Sequence, residues 1–287
     1  MNTIKKFKKV KISRVAVYVL ITLLVTFTAL PLIYVINTAF KPIHELYIWP
    51  PQFFVHEPTM QNFSDLLTAL SSSTVPFTRY IFNSIFTTLA TVFLTVVVSA
   101  MGAYGLAKHK PRGSGAIMAI VLAALMFSPH VTQIPNYLIV KQMGLLNTYA
   151  ALIVPKIAVA YNFFLMERFA VQIPNALLEA SRIDGASEFR IFWKIAMPIL
   201  RPAWATLIVF SFVANWNDYF SALVYIDSQA MKVLPLALQT ISGTAVIDTA
   251  RAGASAAVSL IMILPTILIY ILMQKQIMKT MAHSGIK

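Results

Sequence analysis

Residues 80–107, YIFNSIFTTLATVFLTVVVSAMGAYGLA, run without a charge between Arg79 and Lys108. A helix crosses the hydrocarbon core of a bilayer in about 20 residues, so this stretch is long enough to span one. It lacks the strict polar–apolar alternation that a barrel strand needs. Five further stretches read the same way: 15–40 with its apolar heart at 15–36, 113–140, about 149–166, about 203–226, and 252–274. The first is too long for the apolar region of a signal peptide. Pro129 and Pro135 predict that the 113–140 helix kinks or ends near Ser128. Lys156 interrupts the fourth stretch and Asp218 lies in the fifth. The expected fold is an all-α polytopic membrane protein with six transmembrane helices.

Composition agrees. Of 287 residues 58% are hydrophobic, 11% are charged and none is cysteine. A soluble domain carries about a quarter charged residues, so a cytosolic enzyme, a disordered tail and a disulfide-stapled module are excluded. The formal charge of +13 would suggest nucleic acid in a soluble protein. Here its placement carries the meaning. The N-terminal segment holds Lys5, Lys6, Lys8, Lys9, Lys11 and Arg14, and the 2–3 loop holds Lys108, Lys110 and Arg112. The 4–5 segment holds Arg168, Arg182, Arg190, Lys194 and Arg201, and the C-terminal end Lys275, Lys279 and Lys287. That side gathers 17 basic residues against four acids, whereas the other side has five of each. The positive-inside rule places both termini in the cytoplasm and predicts no nucleic-acid partner.

The chain then divides into a basic cytoplasmic N-terminus (1–14), a first span (15–40), an extracytoplasmic loop (41–79), a five-span domain (80–275) and a cytoplasmic tail (276–287). The loop carries interfacial aromatics and a polar tract at 71–74. Residues 173–202 read as a helix–turn–helix on the membrane surface. Pro174 opens it, Asp184-Gly185 breaks it with Asp184 available to cap the second helix, and Pro198 and Pro202 close it. Phe189, Phe192 and Trp193 are expected on one face, an amphipathic pair suited to docking a partner.

Ionisable residues inside spans are functional candidates. Lys156 and Asp218 each lie roughly 10–12 Å below the outer surface at about 1.5 Å per residue, and are expected to pair. Two readings stand: a pair beside the translocation path, or one that stabilises the bundle. Ser211, Asn215, Asp218 and Ala222 fall on one helical face, with Asn217 beside them. Such a face could bind sugar hydroxyls, or hold helices together as Ser and Asn commonly do.

The run Glu179-Ala180-Ser181-Arg182-Ile183-Asp184-Gly185-Ala186, with Phe192, Ile195, Met197, Pro198 and Pro202, resembles the EAA loop of bacterial binding-protein-dependent ABC importers. Nine of the eleven fixed positions of E-A-A-x2-D-G-A-x5-F-x2-I-x-L-P-x3-P match, with Ser181 and Met197 as small departures. Asn83-Ser84, Tyr104-Gly105, the 144–149 run and Trp216-Asn217-Asp218 are similar to the carbohydrate branch and its maltose-type G subunit. The Ser284–Lys287 end resembles that subunit's tail. The resemblance implies that 80–275 is the permease domain and 173–202 its coupling loop. It implies that Glu179, Ala180, Ser181, Asp184, Gly185, Ala186, Phe192 and Pro198 serve contact with the ATPase. It further implies a second homologous permease, two ATP-binding subunits, an extracytoplasmic solute-binding protein, a sugar substrate and a place in the bacterial cytoplasmic membrane. A permease for a non-sugar solute is the nearest alternative; an ion-coupled secondary transporter would need paired repeats, which are not found.

No phosphate-binding G-x4-G-K-[ST] loop occurs, and the five histidines are scattered. The expectation is therefore no catalytic residue, no metal site and no cofactor on this chain, with ATP hydrolysed by a partner.

Overall fold

The fold, in a computed structural model, is described for residues 12–71, 75–243 and 252–284. The basic residues up to Lys11, residues 72–74, Asp248, Arg251 and residues 285–287 lie outside them. Fifteen helices follow in order: α1 (Ile12–Ala39), α2 (Ile43–Leu46), α3 (Gln61–Ser71), α4 (Phe77–Tyr104), α5 (Ser114–Ala124), α6 (Pro129–Gln142), α7 (Tyr149–Ile153), α8 (Ala160–Val171), α9 (Asn175–Ile183), α10 (Glu188–Ile191), α11 (Met197–Ile199), α12 (Arg201–Trp216), α13 (Phe220–Tyr225), α14 (Leu234–Gly243) and α15 (Ala252–Ser284). No strand occurs among the described residues.

Three helical stretches, Val15–Ala39, Phe77–His109 and Ala252–Met278, are long and apolar enough to cross a membrane. Three bent pairs bring the number to six if each pair is one span. The α5/α6 pair bends by 111° where Ser128 caps α6 and Pro129 occupies its first turn. This is the break expected from the proline. Two breaks depart from expectation. The fourth stretch divides at a 3-10 turn, Val154–Lys156, and resumes at Ala160 with a 46° bend. The third bent pair joins Glu188–Ile199 to Arg201–Trp216 at 76°, and beyond it the fifth stretch ends at Trp216 and resumes at Phe220. Asp218 therefore sits in a gap between helices, and Ala222 belongs to a different helix from Ser211 and Asn215.

Two compact units form. The first takes residues up to 68 together with 252–261. Ala39, Ala256 and Ala257 make its core, with Phe40, Phe63 and Leu260 against them. The Asn62 amide donates to the carbonyls of Ala39 (2.9 Å) and Lys41 (2.8 Å). A Cβ at Gly253 would collide with that amide, so glycine is required there for close approach. The following loop is held by buried ions: Lys41 donates to the Gln52 carbonyl, and Glu45 accepts from the amides of Glu57 (2.7 Å) and His56 (3.2 Å). Burial works to raise the Glu45 pKa, but the Glu57 and His56 amides and the neighbouring histidines outweigh it and leave it below its ordinary value. A lowered carboxyl pKa contributes stability above the ordinary carboxylate range and loses it as pH falls through the lowered value. The 41–59 loop is thus expected to loosen only below about pH 4, read as increased proteolysis on acidification. Intact protection at pH 2 would contradict this.

The second unit comprises residues 69–243 with 262–284. Its axis is α4, which is inverted relative to a helix in water. Asn83, Ser84, Thr87, Thr88, Thr91, Thr95 and Ser99 are buried, whereas Phe82, Leu89 and Phe93 are exposed. That distribution suits a helix whose outer solvent is lipid. Thr87 and Thr91 hydroxyls donate back to the carbonyls of Asn83 and Thr87, both at 2.7 Å, so these two need no partner outside the helix. Ala100 and Ala103 of α4, with Ala107 just beyond its end, let Met166 and Ala170 of α8 and Ala203 and Leu207 of α12 approach closely. Gly102 lies under the Phe163 ring, where a Cβ would be 2.8 Å away. Gly105 meets nothing comparable and instead opens a π-helical segment, Gly105–His109.

Asn83 fixes the other end of this unit. Fully buried, it donates to the carbonyls of Ala230 (2.9 Å) and Lys232 (2.8 Å) and accepts from Tyr149 (2.7 Å). Asn83→Ala would remove all three bonds, with Arg79 still reaching the Ala230 carbonyl and the Tyr149 hydroxyl (3.2 Å each), and should cost about 1–3 kcal/mol. A fall in the thermal midpoint of the solubilised protein is the expected reading; an unchanged midpoint would show the bracket to be dispensable.

Candidate functional site

Both broken spans meet at one place. Pro155 has no amide to continue α7, and the chain turns so that the Lys156 carbonyl accepts from Thr95 (3.2 Å). Beyond α12, the Asp218 carboxylate accepts from the amide (3.0 Å) and hydroxyl (2.5 Å) of Ser221, closing the first turn of α13. Lys156 Nζ stands 2.5 Å from Asp218 Oδ2, with the two side chains 23% and 19% exposed. The expected pair is therefore formed, and it ties one helix break to the other.

The pair borders a cavity of about 290 Å³. Ser211, Ala214 and Asn215 line it from α12 and Asn162 from α8, with Phe210 at its edge. Asn162 donates to Ser211 Oγ (3.3 Å), and Asn215 donates to the Ser211 carbonyl (2.7 Å). A smaller void beside it reaches Thr87 and Thr91 of α4. Of the sequence-derived path residues, Lys156, Ser211, Asn215 and Asp218 converge here. Asn217 does not: it is exposed and donates back to the Val213 carbonyl (2.9 Å). Asn162 and Phe210 were not singled out in the sequence, although an Asn in an apolar stretch is the same signal that marked Asn215.

The 173–202 segment forms a second candidate surface. Gly185 has φ +76°, and its amide donates to Arg182 while that of Ala186 donates to Ser181, both at 3.0 Å. This is a Schellman closure, in which Gly185 supplies the left-handed residue and Asp184 ends α9. Asp184 thus does not cap the second helix. Ser187 does, its hydroxyl accepting from the Arg190 amide (3.4 Å). Arg182 reaches across the turn to Glu188 at 2.6 Å. Lys108 donates to the carbonyls of Val171 (3.0 Å) and Ile173 (2.6 Å) and to Asn175 Oδ1 (3.2 Å), fastening α9 to the end of α4.

Glu179, Ala180, Asp184 and Gly185 are exposed on this turn, as is Pro198; Ser181 and Ala186 are half-buried. Ile183 (87% exposed) and Phe189 (70%) stand out as uncovered apolar side chains beside them. Phe189 and Trp193 do lie together, with ring centres 6.1 Å apart. Phe192 also meets Trp193, with ring centres 5.2 Å apart, but it is buried. It turns inward at the π segment Phe192–Ala196 and packs on Tyr104 at 5.5 Å, so it anchors the segment and presents nothing outward. Among the described residues no group of three or more His, Cys, Asp or Glu could hold a metal ion.

The sequence profile of the family described as "Binding-protein-dependent transport system inner membrane component" matches residues 4–280. Protein LplC of Bacillus subtilis (strain 168) is 32% identical over 276 residues, covering 91% of this chain and 90% of its own. The arabinooligosaccharides transport system permease protein AraQ of the same organism is 28% identical, covering 80% and 81%. Among solved structures, a chain from a bacterial ABC transporter involved in the import of the acidic polysaccharide alginate superposes with a TM-score of 0.80 at 23% identity, covering 95% of this chain and 99% of that one.

Proposed function

This chain belongs to the family of binding-protein-dependent transport system inner membrane components, and on that premise we propose that it is the translocating subunit of an ATP-driven importer of sugars or oligosaccharides. The observation that carries the reading is the exposed turn at Glu179–Gly185, locked by its Schellman closure and fastened through Lys108 to the span that borders the smaller void beside the cavity. In this reading 173–202 is the coupling loop of a permease domain at 80–275, and both termini are cytoplasmic. Glu179, Ala180, Asp184 and Gly185 meet an ATP-binding subunit, with Ile183 and Phe189 supplying apolar contact, while Ser181, Ala186 and Phe192 hold the turn's shape. Closure of two ATP-binding subunits moves the docked turn, and this chain and a second homologous permease rock to alternate access. Each state differs in its contacts, which is what lets nucleotide bias the equilibrium. A solute-binding protein delivers the sugar outside the bacterial cytoplasmic membrane, and Lys156, Asn162, Ser211, Asn215 and Asp218 line this chain's side of the path. AraQ's substrate class and the alginate importer support carbohydrate as cargo.

The test is reconstitution. The tagged chain should co-purify with an ATP-binding subunit and a second permease, and proteoliposomes should take up oligosaccharide only with ATP and binding protein. Glu179→Lys should lower uptake by about tenfold or more, as loss of a charged contact at an interface does. Uptake driven by an ion gradient without any ATP-binding subunit would overturn the proposal.

A further inference from the structure

We infer that this chain's wall of the 290 Å³ cavity accepts uncharged oligosaccharides and turns uronate-bearing ones away. The inference rests on the proposal that the cavity lies on the translocation path. Its cation and its anion neutralise each other: Lys156 Nζ is 2.5 Å from Asp218 Oδ2, and Asp218 is further satisfied by the Ser221 amide and hydroxyl. The remaining polar lining is amide and hydroxyl, from Asn162, Ser211 and Asn215. Amides and hydroxyls both donate and accept, as sugar hydroxyls do, so either partner finds its complement. Phe210, half-exposed at the rim, offers an apolar surface to the C–H face of a pyranose.

A carboxylate meets different terms. Leaving water for a narrow cavity, it needs a cation or a convergent set of donors. No lining cation other than Lys156 occurs among the described residues, and drawing Lys156 away would leave the largely buried Asp218 without its counter-ion. The ion pair therefore works as a charge filter: polar enough to be wetted, and neutral in sum.

The chain has no cysteine, which permits a direct reading in the assembled transporter with its second permease and ATP-binding subunits. Ala214→Cys places one thiol on the cavity wall without removing a polar contact. Its alkylation by an uncharged maleimide is followed with neutral gluco-, galacto- and arabino-trisaccharides, and with trigalacturonate and trimannuronate. A neutral trisaccharide should slow alkylation by about tenfold, as one good contact set would, and the uronates should leave it unchanged. Adding Asp218→Asn uncovers Lys156 and should make the uronates protective. If that variant fails to assemble, Val159→Lys adds a free cation at the wall without touching the pair and should do the same. Equal or better protection by uronates in the unaltered cavity would overturn the charge filter while leaving the path in place. Absence of protection by every sugar would overturn the path itself.

Discussion

Lys156→Met is expected to cost about 3 kcal/mol of stability, because it leaves Asp218 charged and without its counter-ion between two interrupted helices. The figure sits at the low end for breaking a buried pair, since both side chains keep about a fifth of their surface accessible through the cavity. Asp218→Asn should be milder in charge terms but also weakens the contacts that close α13, so it should lower the thermal midpoint comparably. Lys156→Met with Asp218→Asn removes both charges together and should recover most of the loss. The exchange Lys156→Asp with Asp218→Lys tests the pairing itself: recovery of assembly over either single variant is expected, and no recovery would rule the pair out as a stabilising contact. Uptake per assembled transporter then separates the two roles open to the pair. A pair that only braces the bundle leaves uptake intact in the doubly neutral variant, whereas one that lines the path lowers it.

Gly185→Asp should abolish transport while sparing the fold. At φ +76° any side chain costs on the order of 1 kcal/mol, and Asp is among the residues that tolerate it best. A Cβ there meets nothing within 4 Å, so the interior offers no resistance. What changes is the outer face: a second carboxylate next to Asp184, at the point proposed to seat on the ATP-binding subunit. Uptake is expected to fall at least tenfold, with nucleotide hydrolysis no longer responding to substrate. Gly185→Ala, which carries the backbone cost without the charge, should fall between. Normal association with the ATP-binding subunit and normal uptake in Gly185→Asp would remove the coupling role from this turn.

Much of this was legible in the chain before its fold. Lipid demands long uncharged runs, so the spans announce themselves, and the Pro129 break follows from a missing amide. Opposite charges at equal depth pointed to the Lys156–Asp218 pair. The two further breaks were harder to see. Pro155 lies one residue from a lysine that already drew the eye, and the stop at Trp216 has no proline or glycine to mark it. Helical spacing therefore grouped Asp218 with Ala222 on a helix that does not continue. In the 173–202 segment, Asp184 and Ser187 are both good capping residues, and local preference alone cannot choose between them. The Schellman closure at Gly185 decides it by moving the next helix start to Ser187. The burial of Phe192 was hidden for a related reason: a π turn changes which residues face inward, and no residue type announces it. Asn162 and the buried α4 hydroxyls acquire meaning only through what the fold sets opposite them.

The two interrupted spans carry one more consequence. A helix that stops inside a bilayer releases terminal amide and carbonyl groups that hydrocarbon cannot receive. Here Thr95 takes the Lys156 carbonyl, Asn217 the Val213 carbonyl and Asp218 the Ser221 amide, and the breaks border the cavity. A cavity with such a polar, interrupted lining is expected to hold water before any cargo arrives. A sugar entering it would exchange one hydrogen-bonding medium for another and would not have to be stripped bare, so the resting barrier to a polyhydroxylated solute is lowered by the same irregularities that interrupt the helices.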